Sequence, residues 1–164
     1  MASGVKVDDK VKILFENMKT RRSGDIAEEQ LKLVLFRISD DGKSIIVDEK
    51  GSLQVKDLEG EENVFNKIVS QLPVDTCRYA LYDCSYETKD TVKEDLVFIM
   101  WAPDTSPIKA KLLYASSKQA IRQVFLGIKF EWQVNDLGDT KDNSVFIDKL
   151  GGRGLVKKLE GKEI

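Results

Sequence analysis

The chain has 164 residues, 41% of them apolar, which is enough for one compact domain with its own hydrophobic core. Charged residues make up 33%, yet they cancel to a net charge of −2, which argues against a broad nucleic-acid-neutralising surface. Histidine is absent, which removes Ser–His and Cys–His dyads and most zinc chemistry, and no P-loop, GxSxG or GxGxxG run occurs.

Residues 1–6 read as a short polar tail ahead of a single domain over 7–164, with no apolar run that resembles a signal peptide. From Asp8 to Met18, Val11, Leu14, Phe15 and Met18 recur at helical spacing, with Asp8 or Asp9 placed to cap the free amides. Lys19 to Ala27 is polar and reads as a loop. Leu31 to Ile38 is an apolar strand, Asp40-Asp41-Gly42 a turn, and Ser44 to Val47 the start of its hairpin partner. Glu61 to Leu72 returns to helical spacing, and Pro73 stops it.

Arg78 to Tyr86 and Leu96 to Ala102 are the next strands, joined by the charged stretch Glu87 to Asp95. The second has no polar alternation, so helices are expected on both faces of the sheet. Cys77 and Cys84 on one extended segment would lie roughly 23 Å apart, far beyond the ~7 Å that a disulfide spans. Two reduced thiols are expected. Ser106 and Pro107 are placed as cap and first-turn residue of a long helix that Gly127 stops. The alternation of Ile128, Phe130, Trp132 and Val134 predicts a half-buried strand. Asn143 to Leu150 reads as a short helix ended by Gly151, and Leu155 to Leu159 as a last strand.

In the helix after Pro107, Leu113, Ala120, Ile121 and Val124 share one side and read as core. Lys111, Tyr114, Lys118 and Arg122 share another, and Ile108, Leu112 and Ala115 form a second apolar patch beyond the cations. Residues alone leave two readings open. One is a solvated basic face; the other is a binding face whose Leu112, flanked by lysines, enters a partner's pocket.

The run Ile108-Lys109-Ala110-Lys111-Leu112-Leu113-Tyr114-Ala115-Ser116-Ser117-Lys118 resembles the long actin-binding helix of the actin-depolymerising factor/cofilin family. Met1-Ala2-Ser3-Gly4-Val5 is similar to that family's vertebrate N-terminus. Cys77 to Asp83, Lys93 to Ile99, Trp101-Ala102-Pro103, Lys149-Leu150-Gly151-Gly152 and Leu159-Glu160-Gly161 follow in the family's order. The resemblance implies an α/β fold with a mixed central sheet flanked by helices on both faces, and an actin-binding protein rather than an enzyme, with no cofactor or metal. Ser3, Gly4, Lys109, Lys111, Leu112, Ser116, Ser117 and Lys118 would contact one actin subunit. Lys93, Asp148, Lys149 and Arg153 would reach the next one in a filament, leading to severing and depolymerisation. By the same likeness Ser3 is a phosphorylation site for a kinase and phosphatase, and phosphoinositides are a further partner.

Four departures bear on those expectations. Relatives often carry a basic triplet where this chain has Arg122-Gln123-Val124, and two lysines where it has Val92-Lys93. Both losses lower positive charge, so a mainly monomer-binding protein is the alternative. Ala27 to Lys32 lacks the family's basic nuclear-import run, which favours a cytoplasmic, cytoskeletal protein, and Phe130 stands where some relatives carry a pH-sensing histidine. A hydrolase using Glu94 or Asp95 is the reading from a different class.

Overall fold

The computed structural model describes residues 4–20, 30–141 and 143–163, with only the backbone of Thr20. Its strands are β1 (Lys6–Val7), β2 (Leu31–Ile38), β3 (Ser44–Gln54), β4 (Arg78–Thr88), β5 (Val92–Trp101), β6 (Phe130–Val134), β7 (Val156–Leu159) and β8 (Lys162–Glu163). The helices are α1 (Asp9–Thr20), α2 (Val64–Ser70), α3 (Ile108–Val124) and α4 (Ser144–Leu150). The sheet runs β1-β3-β2-β4-β5-β6, while β7 pairs with the far end of β4 and with β8. β1 lies parallel to β3 and β6 parallel to β5; the remaining pairs are antiparallel, so the sheet is mixed as expected.

Side-chain alternation on the central strands builds two cores. Val34, Phe36, Tyr79, Leu81, Phe98 and Met100 face α1 and α3. Leu33, Leu35, Ala80, Tyr82, Val97, Ile99 and Trp101 face α2 and α4. Phe125, just past α3, closes the first core against Phe15 (ring centroids 4.8 Å apart) and Phe36 (5.5 Å). Phe146 of α4 packs on Trp132 at 5.1 Å and Phe65 at 5.2 Å in the second. This is why Leu96 to Ala102 could be apolar without a break: both of its faces are covered.

Several boundaries differ from the pattern in the sequence. The expected tail is tied down from Val5 onward, since Val5 is buried and the Lys6 amide donates to the Lys43 carbonyl at 2.9 Å. Met1 to Ser3 lie outside the described residues, as do residues 21–29, which hold most of the expected loop and its basic pair Arg21-Arg22. α2 is shorter than the helical spacing suggested. A 3-10 turn (Val55–Leu58) precedes it, and Asn63 starts it by accepting from the Asn66 amide at 3.1 Å.

The β4–β5 hairpin is longer than its apolar runs. Its ladder continues to Glu87–Val92, and the Thr88 amide donates to the Thr91 carbonyl at 2.8 Å. The charged stretch Glu87 to Asp95 is therefore mostly strand, and the β4 arm of the hairpin is held by β5 on one side and β7 on the other. Ser106 is also not the expected cap, because its hydroxyl donates to the Pro103 carbonyl while Pro107 occupies the cap position of α3. Gly151 does end α4. Its φ of +127° suits glycine, and a Cβ there would lie 2.6 Å from Leu155 Cδ2.

Candidate actin-binding surface

α3 crosses from β5 to β6 over the sheet and is seated by two tyrosines. Tyr114 lies on its inner face, where its hydroxyl accepts from the Ile38 amide at 2.9 Å and its carbonyl accepts from the Tyr79 hydroxyl. Tyr79 and Tyr114 rings sit 5.0 Å apart. This corrects the placement of Tyr114 among the cations: the inner stripe is Ala110, Leu113, Tyr114, Ser117, Ile121 and Val124. The i, i+3, i+4, i+7 spacing from Ala110 already held that signal, but the hydroxyl disguised it. Tyr114→Phe is expected to leave the Ile38 amide unpaired in the core and to lower stability by about 1–3 kcal/mol. Urea unfolding measures this, and an unchanged midpoint would show that the bond contributes nothing.

The outer face carries the second apolar patch. Ile108 is 72% exposed and Leu112 65% exposed, both far from the buried stripe. Lys109 is exposed, and Lys111 is half-buried with its ammonium 3.4 Å from the Asp104 carbonyl. Ser116 is exposed and bonds back to the Leu113 carbonyl at 3.1 Å. Lys118 is half-buried and salt-bridged to Glu131 at 2.9 Å. Ser117 does not share this surface, because it is only 1% exposed on the inner stripe. Gly4 is exposed just ahead of β1, which packs against α3, so the N-terminal segment and this helix do converge. Ser3 lies outside the described residues.

The second group lies on the other side of the sheet. Asp148 and Lys149 are exposed on α4, and Arg153 is exposed in the turn that follows. Lys93 is half-buried on β5, opposite Tyr86, whose other neighbour is Leu159 of β7. By strand alternation Lys93 faces the α4 side of the sheet. Lys93 and the two α4 residues thus lie on the same side of the sheet, and Arg153 sits in the turn that leads into β7.

Glu94 and Asp95 belong to β5, not to a turn, and Asp95 accepts from the Tyr86 hydroxyl at 2.7 Å. Among the described residues no group of three or more Cys, Asp or Glu is arranged to hold a metal. No described helix is long and apolar enough to cross a membrane.

A family model described as cofilin/tropomyosin-type actin-binding protein matches residues 4–150. The fold is similar to the crystal structure of Streptomyces griseoflavus cofilin, with a TM-score of 0.71 and 28% identity over 90% of this chain and 98% of that one. Plasmodium berghei actin depolymerization factor 2 is similar at a TM-score of 0.69 and 26% identity, over 82% of this chain and 88% of the other. The ADF-like UNC-60A protein of Caenorhabditis elegans gives 0.69 and 25%, over 92% and 96%. With nearly the whole length matched and the exposed face of α3 in place, the chain belongs to the cofilin/actin-depolymerising-factor family of actin-binding proteins.

Proposed function

We propose that this protein grips one actin subunit with the outer face of α3 and a second with the patch around α4, and so promotes filament severing and depolymerisation. The observation that carries the reading is Leu112, a large apolar side chain 65% exposed on a helix whose core contacts are made elsewhere. Exposed apolar anchors ringed by charge are how interface hot spots are built. Support for two subunits comes from the sheet itself, which stands between the two groups of residues, so one flat partner surface does not reach both. No bond is made or broken in such work; differential affinity for two filament states drives it.

Leu112→Ala, and Lys109→Ala with Lys111→Ala, are expected to weaken binding to monomeric actin about 10- to 100-fold. Their melting temperatures should match the parent, because these side chains lie off the core. Binding unchanged in both variants rules out α3 as the surface. Lys149→Ala with Arg153→Ala should spare the monomer and reduce co-sedimentation with filaments. Equal loss of both would instead favour a single-surface monomer binder.

Phosphorylation at Ser3 is part of the same proposal. Gly4 opens a segment that packs beside α3, and a phosphate one residue earlier would add about −1.5 to −2 charges at its edge. Protein phosphorylated stoichiometrically at Ser3 should bind actin weakly while melting at the same temperature. Full binding and severing by that form would remove Ser3 from the surface. The same lysines would attract phosphoinositide headgroups, and competition between such vesicles and actin for the protein tests this.

A further inference from the structure

Lys118 and Arg122 stand one turn apart on α3, and one carboxylate holds both. Glu131 Oε2 accepts from Lys118 Nζ at 2.9 Å, and its Oε1 lies 3.2 Å from Arg122 Nε. The three side chains are 25%, 32% and 33% exposed for Lys118, Arg122 and Glu131, so the cluster is half-withdrawn from water. Its position follows from the sheet. Glu131 on β6 sits in register with Phe98 on β5, and the Arg122 guanidinium lies over the Phe98 ring at 5.7 Å. The N-terminal half of the helix is different. Lys109 is exposed, and the Lys111 ammonium meets a backbone carbonyl rather than a carboxylate.

We propose that Glu131 is an internal counter-ion that mutes the C-terminal half of the α3 binding face, so that it sets both the affinity for an acidic partner surface and the salt dependence of that affinity. The proposal rests on the reading of α3 as the actin-binding surface. An acidic group reaching Lys109 displaces only water. One reaching Lys118 must compete with a carboxylate already in place at hydrogen-bond distance, in a partly desolvated site where that bond is stronger than at a bare surface. Loss of a basic triplet at 122–124 therefore understates how little free positive charge this end of the helix presents: its two cations are spoken for by their own fold. The partner is met mainly by Lys109, Lys111 and Leu112, and Glu131 is the residue that keeps it so.

The test compares Glu131→Gln with Glu61→Gln. Both change the net charge equally, but Glu61 is exposed ahead of α2, across the sheet. Glutamine keeps the shape and an acceptor oxygen, so the fold is retained. Retention on heparin reads freed positive charge without involving actin, and Glu131→Gln should elute at higher salt than Glu61→Gln. Its affinity for monomeric actin should rise about 3- to 10-fold at low salt, with a steeper salt dependence. Both gains should vanish when Lys118→Ala and Arg122→Ala are added. Equal elution of the two variants overturns the proposal, and so does later elution without tighter actin binding. If the parent protein fails to bind actin at all, the reading of α3 falls, while the heparin comparison still decides whether Glu131 mutes the two cations.

Discussion

Lys32→Met is expected to destabilise the protein by about 3–5 kcal/mol, more than any substitution on the binding face. Lys32 Nζ lies 2.8 Å from Glu160 Oε2, and the two side chains are only 10% and 9% exposed. The other carboxylate oxygen accepts from the Tyr82 hydroxyl at 2.6 Å and the Ser85 amide at 2.9 Å. The Lys32 ammonium also stands 5.6 Å from the Tyr82 ring centre. Removing the ammonium leaves a buried carboxylate with neutral donors only, and desolvation then works against the folded state. Removing both charges is milder, so Lys32→Met with Glu160→Gln should recover much of the loss. Denaturant unfolding of the parent, both single variants and the double variant gives the coupling directly. A loss under about 1 kcal/mol for Lys32→Met would mean that water reaches the pair and that it acts as an ordinary surface bridge.

A comparable loss is expected without any mutation, on raising the pH above about 10, where an unfolded chain releases its tyrosine protons. All four tyrosines and Cys84 are buried, and burial favours the protonated form of each. Desolvation is the main cause at every one of them. The neighbouring Cys84 and Glu160 add to it at Tyr82, Glu160 adds to it at Cys84, and the Asp95 hydrogen bond adds to it at Tyr86. Burial also raises Tyr79 and Tyr114, although the Ile38 amide bond opposes it at Tyr114.

The sign follows from proton binding. The folded state keeps these protons where the unfolded chain releases them, so their contribution is complete below the unfolded values. It falls as pH rises, by about 1.4 kcal/mol per pH unit for each group. By pH 11 the combined loss is on the order of several kcal/mol, comparable with the ~5–15 kcal/mol stability of a typical domain. Tyrosinate absorbance should therefore appear together with loss of far-ultraviolet dichroism, in one transition. A gradual titration centred near pH 10 with the dichroism intact would show that the tyrosines are accessible. Between about pH 6 and 8 stability should be flat, since the chain has no histidine.

How much of this was visible in the sequence depends on how local its cause is. β2 was legible to the residue, because Leu31 to Ile38 forms part of both cores and is apolar nearly throughout. α3 and its exposed Leu112 were legible because helical periodicity is a short-range signal. The arms of the β4–β5 hairpin were not, since Glu87 pairs with Lys158 of β7, which arrives from the end of the chain, and Lys93 pairs with Tyr86 beside it. The Lys32–Glu160 pair was invisible for the same reason, as only the topology brings β2 and the β7–β8 turn together. Of the surface residues, Ser117 turns inward and Lys118 is held by Glu131, and neither placement could be read from the helix alone. A serine one position from an exposed one has no hydropathy signature, and the partner of Lys118 sits on another element.

The two thiols have a consequence of their own. Seven is an odd number of residues, so Cys77 and Cys84 emerge on opposite sides of the sheet, Cys77 among the residues under α1 and α3, Cys84 among those under α2 and α4. Each layer thus carries one native reporter that reacts with a thiol reagent only when that layer opens. Equal modification rates for the two would mark the molecule as a single cooperative unit. Unequal rates would show that one layer lifts from the sheet while the other stays closed, and would name which one.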